Sequence, residues 1–380
     1  MFSRLRVIAA CVVLLFFALA ACTGDSEPIS KKQASDADVA AAQDRAARLT
    51  APVPLEAPGP AISLSPAMRG KTLYYISQAL SYEFSQSVVS GVKEAATRGG
   101  VVVKTFDAKG DLTTATRQIE QAVAEKASGI VLQNLSPASL SAPIKAAKEA
   151  GIPVIVALDA DDGPVSAEDS ALGVSARVSA CYSCAGTQIA NLVVAQSGGE
   201  LDVAVITSPD LSVAVAESKA FMEELTRLCP SCRPKTYESP VAQWATQLPS
   251  IATSIGQDSE IDFVVPVFAA FVDFMRPSLH AAGADERVSI ITYNATSTAL
   301  SALHEKDLIT GLVASSENWI GWGIMDQFYR ILSGNPPAKS ENIGNRAFTA
   351  ANLTAADPNK GADYGADYKR AYLQLWGVVD

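Results

Sequence analysis

The chain has 380 residues, of which 48% are hydrophobic and 18% are charged, and it carries a formal net charge of −10 at pH 7. This length suits two globular domains with a sizeable core. The acidic balance argues against a nucleic-acid partner, because no basic stripe is present to neutralise phosphates. His280 and His304 are the two histidines of the sequence, too few for His-based catalysis or a His-rich metal site. We therefore predict no metal, no cofactor and no catalytic residue.

The N-terminal residues have the layout of an export signal. Arg4 and Arg6 supply a positive segment, and residues 7–19 form an apolar segment that is short for a membrane span. The following Leu19-Ala-Ala-Cys22 resembles the lipobox of bacterial lipoproteins. This resemblance implies a signal peptide over 1–21 and a lipidated Cys22, which would anchor the protein to the membrane outside the cytoplasm. The alternatives are an uncleaved anchor and a plain signal peptide with a chance cysteine.

Residues 22–69 are predicted to form a disordered tether. The segment is rich in Ala, Pro, Ser, Asp and Lys, and it shows no sustained strand pattern. A weak helix is expected over 35–49, and the prolines between Pro52 and Pro66 favour an extended, unstructured chain. Such a tether would hold the folded body away from the membrane.

The folded body begins near residue 71 and alternates strands with helices. In its first half, strands are predicted at 72–76, 101–106, 129–133 and 152–158, with helices at 85–98, 112–126 and 141–150. In its second half, strands are predicted at 202–207, 235–237, 263–268, 289–293 and 309–314, with helices at 185–196, 214–228, 244–255, 271–282, 298–305 and 319–333. A terminal helix over 363–376 is expected to pack against the body. This alternation predicts mostly parallel sheets with right-handed crossovers.

Three stretches resemble the ribose-type periplasmic binding proteins, the type I substrate-binding components of sugar ABC importers. They are Tyr74-Tyr-Ile-Ser-Gln78, the segment 129–134, and Ala147-Lys-Glu-Ala-Gly-Ile-Pro-Val-Ile-Val-Ala-Leu-Asp159. The resemblance implies two α/β lobes, each a mostly parallel sheet flanked by helices, joined by three hinge crossings near 173–176, 314–317 and 342–346. The N-terminal lobe would comprise 71–175 and 316–342, and the C-terminal lobe would comprise 176–315 and 343–380.

The resemblance also implies a ligand site between the lobes, at the carboxyl ends of the strands. The positions that match the family's ligand contacts are Phe84, Asn134, Asp159 and Asn294, and further candidates are Tyr82, Phe268, Glu317 and Trp319. Each has a structural alternative, namely capping or loop support for the carboxylate and core packing for the aromatic residues.

The predicted site departs from the family pattern in its charge. Ala160 stands where the family often has arginine, and Val215 or a neighbour replaces a second arginine. The site is therefore expected to be less cationic and more aromatic than a ribose site. A deoxysugar, a polyol, an aromatic glycoside or a non-sugar ligand fits this composition.

Four cysteines form two Cys-x-x-Cys pairs, Cys181 with Cys184 and Cys229 with Cys232. Two local structural disulfides are favoured in an oxidising compartment. A single four-cysteine zinc site and a redox pair remain as alternatives. The distance of more than forty residues between the pairs speaks against the zinc site.

These observations predict a lipid-anchored solute-binding protein rather than an enzyme. It would capture a small molecule, such as a sugar or polyol, and deliver it to an ABC permease and its ATPase as a monomer. The alternative is a sensory module that presents a signal molecule to a membrane receptor kinase, because the same fold serves both roles. The sequence does not identify the ligand.

Overall fold

The computed structural model describes residues 33–378. The predicted signal peptide and the predicted lipidation residue Cys22 lie outside the described residues. Among the described helices, none combines the length and the hydropathy that a membrane crossing requires.

The helices of the described chain are α1 (Asp36–Leu49), α2 (Glu83–Gly99), α3 (Leu112–Ala124), α4 (Ser141–Glu149), α5 (Ala167–Leu172), α6 (Tyr182–Ser197), α7 (Ser212–Leu228), α8 (Trp244–Gln257), α9 (Ala269–Ala281), α10 (Ser297–Glu305), α11 (Glu317–Leu332) and α12 (Tyr368–Leu375). The strands are β1 (Thr72–Ser77), β2 (Val102–Asp107), β3 (Gly129–Gln133), β4 (Val154–Ala157), β5 (Val174–Val178), β6 (Val203–Thr207), β7 (Lys235–Glu238), β8 (Phe263–Pro266), β9 (Ser289–Tyr293), β10 (Ile309–Ala314), β11 (Arg346–Thr349), β12 (Ala356–Asp357) and β13 (Gly361–Ala362).

Two large sheets organise the fold. The first has the order β2-β1-β3-β4-β5 and is parallel throughout, and the second has the order β11-β10-β9-β8-β6-β7 with β11 antiparallel to β10. Central strands such as β3 are buried along their whole length, because helices cover both faces of a parallel sheet. The predicted α/β architecture of two lobes with mostly parallel sheets is confirmed.

Two glycines allow a close contact between two helices of the first lobe. Helix α11 packs on α2, and Gly91 of α2 faces Gly321 of α11. A Cβ atom added to Gly321 would lie 2.5 Å from the carbonyl oxygen of Val88, and one added to Gly91 would collide with Asn318. The contact therefore requires residues without a side chain at both positions.

The first lobe extends further than predicted. Strand β5 pairs with β4 in the first sheet, so the chain leaves this lobe after Val178 and not at 173–176. Val174, Ala176 and Val178 are buried, which holds this short strand in the sheet. The chain passes from β10 of the second sheet to α11, which packs on α2 of the first lobe, and it returns to the second sheet at β11.

Residues 33–69 form an ordered strap on the body, so the prediction of a disordered tether is wrong for this part. Helix α1 packs on α6 of the second lobe and buries Ala42 and Ala46. The extended chain that follows buries Val53 and Ile62 and bonds through their N–H groups to the carbonyls of Tyr364 (2.8 Å) and Leu375 (2.7 Å). The prolines of this strap favour an extended backbone, and the body supplies the partners that composition could not reveal.

The C-terminal helix α12 packs on the first lobe, which corrects the assignment of all residues 343–380 to the second. Trp376 stacks on Trp322 of α11 with ring centroids 5.4 Å apart, and its Nε1 donates to Asp326 at 2.7 Å. Arg346 of β11 donates to the carbonyl oxygens of Thr50 and Asp363. Both terminal segments therefore contact both lobes.

Candidate functional site

A cavity of about 800 Å³ lies between the lobes, at the carboxyl ends of the strands of both sheets. The first lobe contributes the loops after β1, β2 and β3, and the second contributes the start of α6 and the loops after β6, β7, β8 and β9. Loops at this edge of a parallel sheet are the usual ligand-binding position of open α/β folds. We refer to this cavity as the cleft.

Five of the predicted residues line the cleft. They are Tyr82, Phe84 and Asn134 of the first lobe, and Phe268 and Asn294 of the second lobe. The structure thus brings together side chains that are up to 212 positions apart, from Tyr82 to Asn294, on the two sides of one cavity. Their contact with a ligand stays a prediction.

The two asparagines occupy equivalent places in the two lobes. Asn134 directly follows β3 with a φ of 54°, and Asn294 directly follows β9 with a φ of 83°. Asparagine tolerates this left-handed backbone better than most residues. The Nδ2 of Asn134 donates to the carbonyl of Leu158 at 3.0 Å. The side-chain amide of Asn294 makes no hydrogen bond to the described residues. Asn294 therefore has an amide available to a ligand.

Asp159 is not among the residues that line the cleft, so its predicted ligand contact has no support from its position. Its two carboxylate oxygens accept hydrogen bonds from Nε and Nη2 of Arg177, both at 3.1 Å, and its side chain is 3% exposed. Arg177 also donates to Asp169 at 2.7 Å. Because β4 and β5 are neighbours, the strand end that carries Asp159 meets an arginine of the same lobe.

Trp319 and Glu317 also lie away from the cleft lining. Trp319 is buried in the first lobe, where it stacks on Tyr368 with ring centroids 5.2 Å apart. Glu317 begins α11 at the second crossing, and its pKa is raised to about 7 by burial and by the negative charge of Glu83. Their candidate role as ligand contacts is not supported by their positions.

Sequence reasoning missed several cleft residues, above all Trp244 and Tyr182. Trp244 begins α8, and its Nε1 donates to Ser208 at 3.0 Å while its ring faces Tyr82 at 5.9 Å. Tyr182 begins α6 immediately after the first crossing. Both residues start a helix that follows a strand, and this position in the sequence could have identified them as candidate cleft residues.

The acidic side chains of the cleft hold neighbouring loops together. Asp107 accepts from the backbone N–H groups of Leu80 (3.2 Å) and Lys109 (2.9 Å). Asp210 accepts from the backbone N–H of Val241 at 3.1 Å. Two carboxylates that could have served as ligand acceptors therefore shape the loops instead.

The lobes touch across the cleft mouth. Glu83 of α2 accepts two hydrogen bonds from Ser297 of α10, one from its N–H at 2.9 Å and one from its hydroxyl at 2.8 Å. Ser212 of the second lobe donates its hydroxyl to the carbonyl of Asp159. We call the pair of Glu83 and Ser297 the latch, because it joins the first lobe to the second directly.

Both cysteine pairs are disulfides, Cys181–Cys184 and Cys229–Cys232, as predicted. These disulfides are incompatible with the alternative of one zinc site shared by the four cysteines, because the sulfurs are bonded to each other. Cys181 caps α6 next to Tyr182, and Cys184 is exposed at the surface. Within residues 33–378, no group of three or more histidine, cysteine or acidic side chains is arranged to hold a metal ion.

Comparison with known proteins identifies the family. A family model described as a periplasmic binding protein domain matches residues 73–336. The chain has no significant match among curated protein sequences.

Solved structures show the same fold at low sequence identity. One is a galactofuranose binding protein, with a TM-score of 0.65, 16% identity, and coverage of 75% of this chain and 96% of that chain. A second, from Mycobacterium smegmatis in complex with β-D-fucofuranose, has a TM-score of 0.66, 19% identity, and coverage of 80% and 98%. A third is a 5-methylthioribose transporter solute binding protein from Thermotoga lettingae, with a TM-score of 0.66, 14% identity, and coverage of 80% and 92%.

Proposed function

Since the chain belongs to the periplasmic binding protein family, we propose that it captures a sugar or related small molecule in the cleft and delivers it to an ABC importer. The observation that carries this proposal is the cleft itself, because it is lined from both lobes at the strand ends. Similar structures bind galactofuranose and L-arabinofuranose. Binding with hinge closure, without chemical conversion, accounts for this arrangement.

We further propose that Cys22 is lipidated and holds the protein outside the cytoplasm. The ordered strap shortens the part of the predicted tether that could act as a flexible linker, because residues 33–69 pack on the body.

A binding screen tests the proposal. The mature chain without its lipid is heated with galactose, arabinose, ribose, polyols and their derivatives, and unfolding is followed by fluorescence. A ligand at a hundred times its Kd should stabilise the folded state by about 2.7 kcal/mol. No stabilisation by any compound would contradict the proposal.

The variant Asn294→Gly tests whether the ligand binds in the cleft or elsewhere on the protein. Glycine adopts the φ of 83° without strain, so this variant removes the amide and keeps the backbone. We expect at least about a tenfold loss of affinity if a buried hydrogen bond to the ligand is lost. Lys306→Gly is the matched control, because Lys306 has a φ of 57° at the end of α10 and does not line the cleft.

A further inference from the structure

A continuous row of aromatic rings crosses the cleft from the second lobe to the first. The rings follow each other in the order Tyr182, Phe268, Phe271, Trp244 and Tyr82, with centroid distances of 6.4, 5.9, 4.7 and 5.9 Å. All except the buried Phe271 line the cavity. These distances are those of interacting aromatic pairs. We call these five residues the aromatic row.

The cleft offers a ligand polar side chains beside the aromatic row. Gln78, Lys109 and Asn294 line it, and their side chains make no hydrogen bonds to other described residues; the hydroxyls of Ser81 and Ser85 line it as well. Asp107 and Asp210 are already bonded to backbone N–H groups of neighbouring loops. The amides and hydroxyls can hold a sugar ring, and the aromatic rings can hold an apolar group attached to that ring.

The charge of the cleft also limits its ligand. No arginine is among the described residues that line it, and Lys109 is an exposed residue beside the carboxylate of Asp107. A carboxylate or phosphate ligand would therefore lack a bidentate partner. An uncharged ligand fits this surface best.

We propose that the ligand is an uncharged glycoside whose aryl or alkyl group packs on the aromatic row while its sugar ring meets the amides of Gln78 and Asn294. This inference rests on the proposed function, because it assumes that the cleft is the binding site. The cavity of about 800 Å³ supports it. That volume lies in the upper part of the range of roughly 300–1,000 Å³ that holds drug-sized ligands.

Calorimetry with matched pairs tests this ligand class. The mature chain is titrated with galactose and phenyl galactoside, with arabinose and phenyl arabinoside, and with ribose and 5-methylthioribose. The apolar member of at least one pair should bind about tenfold or more tightly than its free sugar, because its added group is removed from water against aromatic rings.

The outcomes separate the two proposals. If free sugars bind as tightly as their apolar partners or more tightly, the ligand class is overturned and the proposed function stands. If no compound of the panel binds to the folded chain, the proposed function is overturned and the ligand class falls with it.

Substitution of Tyr82 tests whether the aromatic row supplies the preference. Its side chain makes no capping hydrogen bond at α2, so Tyr82→Ala is expected to fold. For each pair, the Kd of the free sugar divided by the Kd of its apolar partner measures the preference. This ratio should fall toward one in Tyr82→Ala and should be unchanged in Tyr82→Phe. Tyr237→Ala, outside the cleft lining, is the control. An unchanged ratio in Tyr82→Ala would overturn the role of the row.

Discussion

Replacing Ser297 by alanine should weaken ligand binding without any contact to the ligand being removed. Ser297 lies in the second lobe, and its hydroxyl and N–H both donate to Glu83 of the first lobe. The alanine variant loses the hydroxyl bond of 2.8 Å and keeps the N–H bond of 2.9 Å. Glu83→Ala loses both. The two variants therefore remove the latch in two steps.

The expected loss of binding free energy depends on how far the latch is exposed to solvent. A hydrogen bond to a charged group contributes about 1.5–3 kcal/mol when it is protected from water. Glu83 and Ser297 are exposed, so solvent screening reduces the value to about 1 kcal/mol. This free energy shifts the closed–open equilibrium by about fivefold, and the apparent Kd rises by at most this factor. Glu83→Ala should give the larger effect.

Calorimetry and a distance measurement between spin labels on the two lobes provide the assay. Both variants should bind more weakly, and the fraction of molecules with the longer interlobe distance should rise. Glu120→Ala is the control, because Glu120 is an exposed acid on α3 away from the cleft. Wild-type affinity and wild-type distances in both variants would refute the reasoning.

Three other predictions concern stability and redox chemistry. Gly321→Ala should destabilise the fold by about 1–3 kcal/mol through overpacking, although helix propensity alone favours alanine by about 1 kcal/mol. The pKa of Glu317 is raised from 4.5 to about 7. The folded state therefore keeps a proton that the unfolded state releases, and stability should fall as the pH rises from about 4.5 to about 7, by about 3 kcal/mol at most. The disulfide Cys181–Cys184 should be reduced before Cys229–Cys232, because Cys184 is exposed whereas both cysteines of the second pair are buried.

Each of these has its own measurement and control. Urea unfolding of Gly321→Ala is compared with the exposed substitution Ser90→Ala, which should change stability by no more than about 0.5 kcal/mol. Unfolding at several pH values should show a shallower slope in Glu317→Gln, and an unchanged slope would contradict the assignment. Mass spectrometry after partial reduction and alkylation identifies the first pair to open, and earlier labelling of Cys229 would contradict the prediction.

Local patterns in the sequence were sufficient to predict the order of strands and helices and some of the residues that line the cleft. The period of the apolar residues identifies strands and helices, and consecutive parallel strands place their ends at one edge of a sheet. Asn134 and Asn294 were found in this way, because each directly follows a central strand. The cysteine pairs were predicted from their Cys-x-x-Cys spacing and from the expected oxidising compartment, and the structure contains both disulfides.

Contacts between distant segments could not be obtained from these patterns. The carboxylate of Asp159 has the right place after a strand, but Arg177 on the neighbouring strand occupies it. The strap of residues 33–69 has the composition of a tether, yet it is ordered by the carbonyls of Tyr364 and Leu375. Helix α12 is amphipathic, and its pattern does not specify which lobe receives its apolar face. Periodicity records that a face will be buried, whereas the partner that buries it is chosen by packing and hydrogen bonding in three dimensions.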